Sequence, residues 1–265
     1  MTTFSKESEN IRAYLYFLKY FGIEKSPFPD SLFYGQPQKR MTPKKTEKKE
    51  KQERIESPSL VGGDVSQRLE SELDNCGNLN DLQAFMQGCK RCRLHEGRTN
   101  LVFGNGNPHA DIMLIGEGPG RDEDLQGAVF IGRSGQLLTK MLAAIHIDRE
   151  DVYIGNIVKC RPPNNRDPKS DEIAICSQFL QKQISLIQPK ILLALGRIAG
   201  QALLGGKPSL RQMRGTVHQY VGIDLVVTFH PAALLRNPAW KKEAWQDLQK
   251  FEQMCRDKGI SLGGA

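Results

Sequence analysis

Apolar and polar positions follow two rhythms along the chain from about Leu79 onward. Short apolar, β-branched runs of strand length occur near 111–116, 152–158, 190–195 and 224–229. Longer segments with apolar residues at helical spacing predict helices near 135–146, 171–187, 197–204 and 239–257. Repeated strand–helix units favour a parallel sheet with helices on both faces. The predicted fold is therefore α/β, a three-layer αβα arrangement around a mainly parallel central sheet.

The first 75 residues follow a different pattern. Within an N-terminal segment, 1–34, one helical face carries Ile11, Tyr14, Leu15, Leu18 and Phe21. This spacing predicts a short amphipathic helix over 10–21. Residues 35–75 are rich in Lys, Glu, Gln, Pro and Ser with few large apolar groups, so they are predicted to form a disordered, charged linker. The strands and helices above all lie in the third predicted unit, 76–265.

Charge and hydropathy limit the classes of partner. The formal net charge is +7, but residues 39–56 hold eight Lys and Arg against four Glu, so little excess remains elsewhere. Composition alone is weak support for a nucleic-acid partner, although a basic linker favours salt-sensitive contact with DNA or a protein. The polar start and the absence from the sequence of about 18 consecutive uncharged apolar residues predict no membrane span and a cytoplasmic location.

The cysteines form a spacing that suits metal ligation. The chain has six, at positions 76, 89, 92, 160, 176 and 255. In a reducing compartment, the C-x-x-C pair Cys89 and Cys92 and a second pair, Cys160 and Cys176, indicate a metal site before they indicate disulfides. Four thiolates suit either tetrahedral zinc or a four-iron cluster, and spacing alone favours zinc. The other two cysteines are isolated and are interpreted as free thiols.

The first candidate loop follows the strand at 111–116. It reads Gly116-Glu117-Gly118-Pro119-Gly120, with Glu123 and Asp124 beyond. The glycines let the backbone approach a ligand closely, and Glu117 places a carboxylate there. The loop does not match the G-x-G-x-x-G fingerprint, which disfavours a dinucleotide cofactor. A tight connection without function is an equally good interpretation of this loop alone.

Two further strand ends carry groups that suit a nucleobase. Asn156 ends the second strand, and its amide offers one acceptor and two donors, enough to recognise a base edge, while Arg161 suits a phosphate. His230 ends the last strand, where it can donate a hydrogen bond to a developing oxyanion. Leu234 and Leu235 follow and can wedge between bases. Each loop taken alone has a structural alternative: a capping asparagine, or a histidine placed before a proline.

Taken together, the ordered motifs resemble the family 4 uracil-DNA glycosylases over about residues 79–252. The motifs are Gly116–Gly120 with Glu123 and Asp124, Phe130–Gly135, Asn156–Pro163 with Asn165–Pro168, and His230–Pro238. The resemblance implies the α/β fold of these glycosylases. It also implies a [4Fe-4S] cluster rather than zinc, with the four ligands at Cys89, Cys92, Cys160 and Cys176.

The resemblance further implies how uracil is bound and released. Phe130 matches the aromatic residue that stacks on the flipped base, and Asn156 matches the amide that reads its edge. His230 matches the donor to uracil O2. Gly118 contributes to the uracil-binding loop, at a position where a related family carries an aspartate. Hydrolysis of the N-glycosidic bond would leave an abasic site and begin base-excision repair.

Two carboxylates and a set of DNA contacts complete the expected site. Glu117 lies where it can stabilise the sugar cation or orient the attacking water, and Glu123 can support the same loop. The DNA contacts are expected from Arg161, Leu234, Leu235 and Arg236. The expected partner is uracil-containing DNA bound by a monomer. The sequence leaves open which leucine inserts and whether single- or double-stranded DNA is preferred.

Three positions depart from the family's usual pattern. Val129 stands where proline is usual, Arg121 where an acid is frequent, and Ala232 where serine is frequent. None of these departures removes a group assigned to the chemistry. Two alternatives to the glycosylase are a non-catalytic, cluster-bearing DNA-binding module and a zinc-stabilised α/β protein that acts on small molecules. The retained Glu117, Phe130, Asn156 and His230 argue against the first. The basic strand-end loops and the segment Leu234-Leu235-Arg236 argue against the second.

Overall fold

The computed structural model describes residues 63–263, and within this range six strands form one sheet. The helix expected at 10–21 and the linker as far as residue 62 lie outside the described residues. The strands are β1 (Asn105–Gly106), β2 (Ile112–Gly116), β3 (Tyr153–Asn156), β4 (Ile191–Leu195), β5 (Val217–Tyr220) and β6 (Ile223–Thr228).

The strand order in the sheet is β1-β3-β2-β4-β6-β5. The four central strands pair in parallel, and the short edge strands β1 and β5 pair antiparallel to their neighbours. Every residue of β2, β3 and β4 is buried, as expected for strands covered on both faces. The predicted α/β fold with a mainly parallel sheet is confirmed.

Helices pack against this sheet in the intervals that the sequence predicted, and further helices appear in the loops. They are α1 (Gly63–Asp74), α2 (Leu79–Met86), α3 (Arg121–Gln126), α4 (Arg133–Ala143), α5 (Ser170–Ile187), α6 (Arg197–Leu204), α7 (Leu210–Met213), α8 (Pro231–Arg236) and α9 (Lys241–Asp257). Among residues 63–263, none of the helices is long and apolar enough to cross a membrane.

The linker prediction was wrong at its C-terminal end. Residues 63–74 form helix α1, whose Leu69 and Leu73 are each only 5% exposed within the hydrophobic core. These two leucines lie four residues apart and thus on one face of the helix, which is enough to dock it although its other residues are mostly polar. The composition of the segment resembled a linker because the docking face is narrow.

The topology gathers the loops that follow β2, β3, β4 and β6 at one edge of the sheet. Gly116 is paired with Asn156 at the ends of β2 and β3, and Leu195 with Thr228 at the ends of β4 and β6. Because these strands are parallel, the loops that follow them share the carboxyl edge, where α/β folds bind their ligands.

Candidate active site

A cleft of about 300 Å³ opens at the carboxyl edge of the sheet. Its volume is at the lower end of the range of roughly 300–1,000 Å³ that small-molecule pockets occupy. Of the residues predicted from sequence, it brings together Glu117, Gly118, Glu123, Phe130, Asn156, His230 and Arg236. Residues of the motif Asn165–Pro168, which were given no individual role from sequence, also line it: Asn165, Arg166 and Asp167.

Asn156 lies at the floor of this cleft with its side chain 2% exposed. Its Oδ1 atom is buried and has no hydrogen-bond partner in the protein. A buried acceptor left without a donor costs about 1–3 kcal/mol, so such an atom in a cleft indicates that a ligand supplies the donor. A Cβ on the paired Gly116 would stand 2.3 Å from this oxygen, which explains why glycine is needed there.

Phe130 forms a wall of the cleft. Its ring centroid lies 5.5 Å from that of His230, with 32° between the ring planes. The residue has a positive φ of 49°, which few side chains adopt. Its carbonyl oxygen would lie 1.7 Å from a Cβ on Gly135, so the backbone of Phe130 packs directly on helix α4. The ring is thus held by its main chain as well as by its neighbours.

Glu123 supports the segment that follows Phe130. Its Oε1 atom accepts hydrogen bonds from the backbone N–H groups of Ile131, at 3.2 Å, and Gly132, at 3.1 Å. The side chain is 8% exposed and borders the cleft from helix α3. This geometry makes Glu123 a positioning residue for the Phe130 loop.

His230 is the N-cap of helix α8, and its Nδ1 atom accepts a hydrogen bond of 3.2 Å from the backbone N–H of Ala232. Burial, with a smaller contribution from the nearby Arg236 cation, lowers the pKa of His230 to about 4. The imidazole is therefore neutral near pH 7. Because Nδ1 is an acceptor, its single proton resides on Nε2, which is available as a donor.

Glu117 is the carboxyl group of the cleft lining whose pKa is raised to near neutrality. Burial, with a further contribution from Asp167, raises the pKa of Glu117 to about 7, while the cations of Arg197 and Arg236 oppose the shift. Asp167 is itself paired with Arg197 at 2.5 Å. A carboxyl group with a pKa near neutrality is suited to general acid–base chemistry at physiological pH.

The side chains expected to contact DNA differ in whether they are exposed at the protein surface. Leu234 is 1% exposed and packs in the interior, so its prediction as a DNA contact was wrong; helix α8 turns that side chain inward. Leu235 is 37% exposed and remains the candidate for insertion. Arg236 lines the cleft. Arg161 lies outside the cleft lining, where its Nε donates to Asn165 Oδ1 at 2.8 Å.

The four cysteines of the two predicted pairs border one small cavity: Cys89, Cys92, Cys160 and Cys176. All are free thiols. Positively charged and N–H groups face the sulfur atoms. Arg98 lies 3.1 Å from Cys160 Sγ, Arg91 lies 3.7 Å from Cys89 Sγ, and the backbone N–H of Lys159 lies 3.3 Å from Cys176 Sγ. Among residues 63–263, no group of three or more His, Cys, Asp or Glu side chains has the arrangement of a single-ion site.

An ion-pair network around one buried glutamate, which was not predicted from sequence, lies between these cysteines and the cleft. Glu172 is fully buried and accepts two hydrogen bonds from Arg166, at 2.8 and 2.7 Å, and one from the backbone N–H of Lys169 at 2.7 Å. Arg93, next to Cys92, also approaches Glu172, at 3.8 Å. An acid in the first turn of a helix is common, so the sequence does not single out this glutamate. Only the fold shows that it joins the two regions.

Known proteins resemble this chain over most of its described length. The family model for the Uracil DNA glycosylase superfamily matches residues 103–249. The Type-4 uracil-DNA glycosylase of Archaeoglobus fulgidus is 40% identical over 193 residues, which cover 70% of this chain and 97% of that protein. The Type-4 uracil-DNA glycosylase of Thermotoga maritima is 44% identical over 175 residues, covering 64% and 91% respectively. That of Sulfurisphaera tokodaii is 41% identical over 187 residues, covering 67% and 85%.

Proposed function

Because the chain belongs to the type-4 family of the uracil-DNA glycosylase superfamily, we propose that its cleft receives uracil flipped out of DNA and hydrolyses the N-glycosidic bond. The observation that carries this proposal is the unpartnered Oδ1 of Asn156, beside the neutral His230 and the ring of Phe130. The products are an abasic site and free uracil, which begins base-excision repair. A monomer contains every group that the proposal uses.

Asn156 is proposed to select uracil. With the flipped base stacked on Phe130, uracil N3–H donates to Asn156 Oδ1, and Asn156 Nδ2 donates to uracil O4. Cytosine presents an unprotonated N3 and an amino group at these two places, so neither bond forms and a buried acceptor stays unpaired. Sites built in this way reject the wrong partner strongly, because they leave desolvated polar groups unsatisfied.

His230 is proposed to stabilise the leaving group. As the glycosidic bond breaks, negative charge grows on uracil O2, and a neutral Nε2–H placed there donates a hydrogen bond that strengthens as the charge develops. Because Nδ1 accepts from the Ala232 N–H, Nε2 carries the proton and can donate to the base without a change of tautomer.

Glu117 is proposed to act on the sugar side. In its ionised form, it can stabilise the cationic sugar that forms as the bond breaks, or orient the water that attacks it. Arg197 and Arg236 favour the ionised form, and Asp167 disfavours it. Glu123 contributes indirectly, since it holds the backbone that carries Phe130.

The arrangement of the four cysteines fits an iron–sulfur cluster. Four free thiols border one cavity, and Arg91, Arg98 and a backbone N–H face the sulfurs, which compensates the negative charge of thiolate ligands. We propose that these cysteines hold a [4Fe-4S] cluster. When bound, it supplies cross-links between the loops that contain Cys89, Cys92 and Cys160 and the helix α5, which contains Cys176. The same proposal places the protein in the reducing cytoplasm, where thiols remain available as ligands.

The direct test is cleavage of a labelled oligonucleotide that contains one uracil, with a matched cytosine oligonucleotide as control. Alkali after incubation reveals abasic sites. We expect strand breaks only at uracil, and much slower cleavage by Glu117→Ala protein that retains its metal content. Metal-loaded wild-type protein that binds the oligonucleotide but leaves uracil in place would instead support the non-catalytic DNA-binding module.

A further inference from the structure

Three side chains that do not line the cleft form a stack, which includes Phe229, the residue before His230. The guanidinium of Arg214 lies 4.1 Å from the ring centroid of Phe229, and the rings of Phe229 and Trp240 stack with centroids 5.4 Å apart and 24° between their planes. Phe229 is 6% exposed, whereas Trp240 is 40% exposed. The outermost ring of the stack is therefore the one that reaches solvent.

The stack is anchored in the body of the protein. Arg214 Nε donates to Asp247 Oδ2 at 2.7 Å, and Arg214 Nη1 lies 2.5 Å from Glu243 Oε2. Asp247 also accepts a 2.8 Å hydrogen bond from Thr228 Oγ1 at the end of β6. These bonds fix Arg214, which forms the inner end of the stack. A stack fixed at its inner end loses little conformational freedom when a ligand covers its outer ring.

Trp240 lies directly after the segment of the chain that carries the proposed DNA contacts. Phe229 directly precedes His230, and Trp240 ends the short 3₁₀ turn Pro238–Trp240 that follows helix α8. That helix carries the exposed Leu235 and the cleft-lining Arg236. Exposed aromatic rings are the groups on which proteins stack unpaired bases.

We propose that Trp240, backed by Phe229 and Arg214, is a stacking platform for an unpaired base of the strand that carries the uracil. The proposal rests on the uracil-DNA glycosylase function above and adds a binding site outside the uracil cleft. It gives the protein a preference for single-stranded DNA near the lesion, because bases in a duplex are already stacked and paired. The competing interpretation is that Trp240 only covers Phe229.

The test compares Trp240→Ala and Trp240→Phe in the full-length, metal-loaded protein acting on a single-stranded uracil oligonucleotide. Loss of one base–aromatic stack corresponds to a rise in KM of about 5- to 150-fold. We expect that rise in Trp240→Ala, a kcat within about twofold of wild type, and a smaller rise in Trp240→Phe, which keeps a stacking face. On duplex DNA the increase in KM should be smaller.

Val221→Ala is the matched control, because Val221 is a 75% exposed apolar residue in the β5–β6 turn, at the end of β6 opposite to the cleft. This variant should keep the wild-type KM. Tryptophan fluorescence separates the two interpretations, because DNA binding would not change the emission of Trp240 if this residue only covered Phe229. A uracil-free single strand should change the emission of wild type but not of Trp240→Phe, whose remaining Trp245 is buried.

An unchanged KM on single strands in Trp240→Ala, or no change in wild-type emission on binding, would overturn the platform. Either result leaves the glycosylase proposal intact as long as the wild-type protein excises uracil. Conversely, failure of the wild-type protein to excise uracil would count against the glycosylase proposal, whatever the fluorescence shows.

Discussion

Gly116 and Asn156 face each other across the ends of two parallel strands, and a Cβ on Gly116 would lie 2.3 Å from the Asn156 side-chain oxygen. The same Cβ would lie 2.7 Å from the ring of Phe130. One missing methyl group thus lets the amide and the aromatic ring occupy neighbouring positions at the floor of the cleft.

Gly116→Ala should consequently displace Asn156 and Phe130 and reduce kcat/KM on uracil DNA by about 100-fold, the loss expected for a misplacement of about 1 Å. Gly97→Ala is the control, because a Cβ there meets no atom within 4 Å. Steady-state cleavage kinetics with both variants measure the effect. Wild-type activity in Gly116→Ala would show that catalysis does not require the Asn156 amide at its position in this structure.

Activity should depend on pH through Glu117. The pKa of Glu117 is about 7, and the active form is the ionised carboxylate. The enzyme therefore loses activity as this group is protonated below neutrality, so kcat/KM should rise with pH and level off above about 7. Asp167→Asn removes a negative charge that raises the pKa of Glu117, so the rising limb should move to lower pH. Asp111→Asn, at the opposite end of β2, should leave the profile in place. If the rising part of the pH profile does not move in Asp167→Asn, it reflects the titration of a group other than Glu117.

Asn156→Asp should relax discrimination against cytosine. A carboxylate at this position replaces the amide donor by an acceptor, which suits the amino group of cytosine. The measurement is excision from matched uracil and cytosine oligonucleotides, with Asn165→Asp as a second cleft amide changed in the same way. Equal cytosine rejection in Asn156→Asp and wild type would remove Asn156 from the recognition role.

The two adjacent leucines of helix α8 should behave differently. Leu235→Ala should leave thermal stability almost unchanged and slow uracil excision from duplex DNA by about tenfold or more, because an inserted side chain offsets the cost of unstacking. Leu234→Ala should instead destabilise the fold by about 2–5 kcal/mol through an internal cavity. Denaturant unfolding together with duplex cleavage separates the two effects, and the reverse pattern would contradict the assignment.

A protein that holds a [4Fe-4S] cluster is brown, and replacement of a proposed cluster ligand should abolish that colour. Cys160→Ala protein should contain little iron and acid-labile sulfide and should melt at a lower temperature, because the cross-link between loops is lost. Cys255→Ala, which removes a buried thiol that does not border the cysteine cavity, should keep both iron and sulfide. Colourless wild-type protein with one zinc per chain would instead support the zinc alternative.

The parallel core could be predicted from sequence because its signals are strong and local. The apolar runs at 111–116 and 190–195 match β2 and β4 to within one residue at each end. The edge strands were missed: β1 has two residues, and β5 alternates between exposed and partly buried positions without an apolar run. Their pairing depends on neighbours that are distant in the sequence.

The sequence predicted which residue types lie in the cleft, but it could not predict their protonation states. Sequence motifs identified Glu117 and His230, whereas the perturbed pKa of each depends on burial and on Arg236 or Asp167, which only the fold brings near. The orientation of Leu234 was likewise inaccessible, because adjacent positions on a six-residue helix give no clear indication of which one faces inward.

The hydrogen bond from the Ala232 N–H to His230 Nδ1 also bears on the energy of each catalytic cycle. A histidine free to exchange its proton between two nitrogens would have to adopt the productive tautomer in every turnover. Here the helix cap makes that choice when the protein folds. The proposed O2 donor is therefore preorganised, and its contribution to the reorganisation energy of bond cleavage is small from the moment the base enters the cleft.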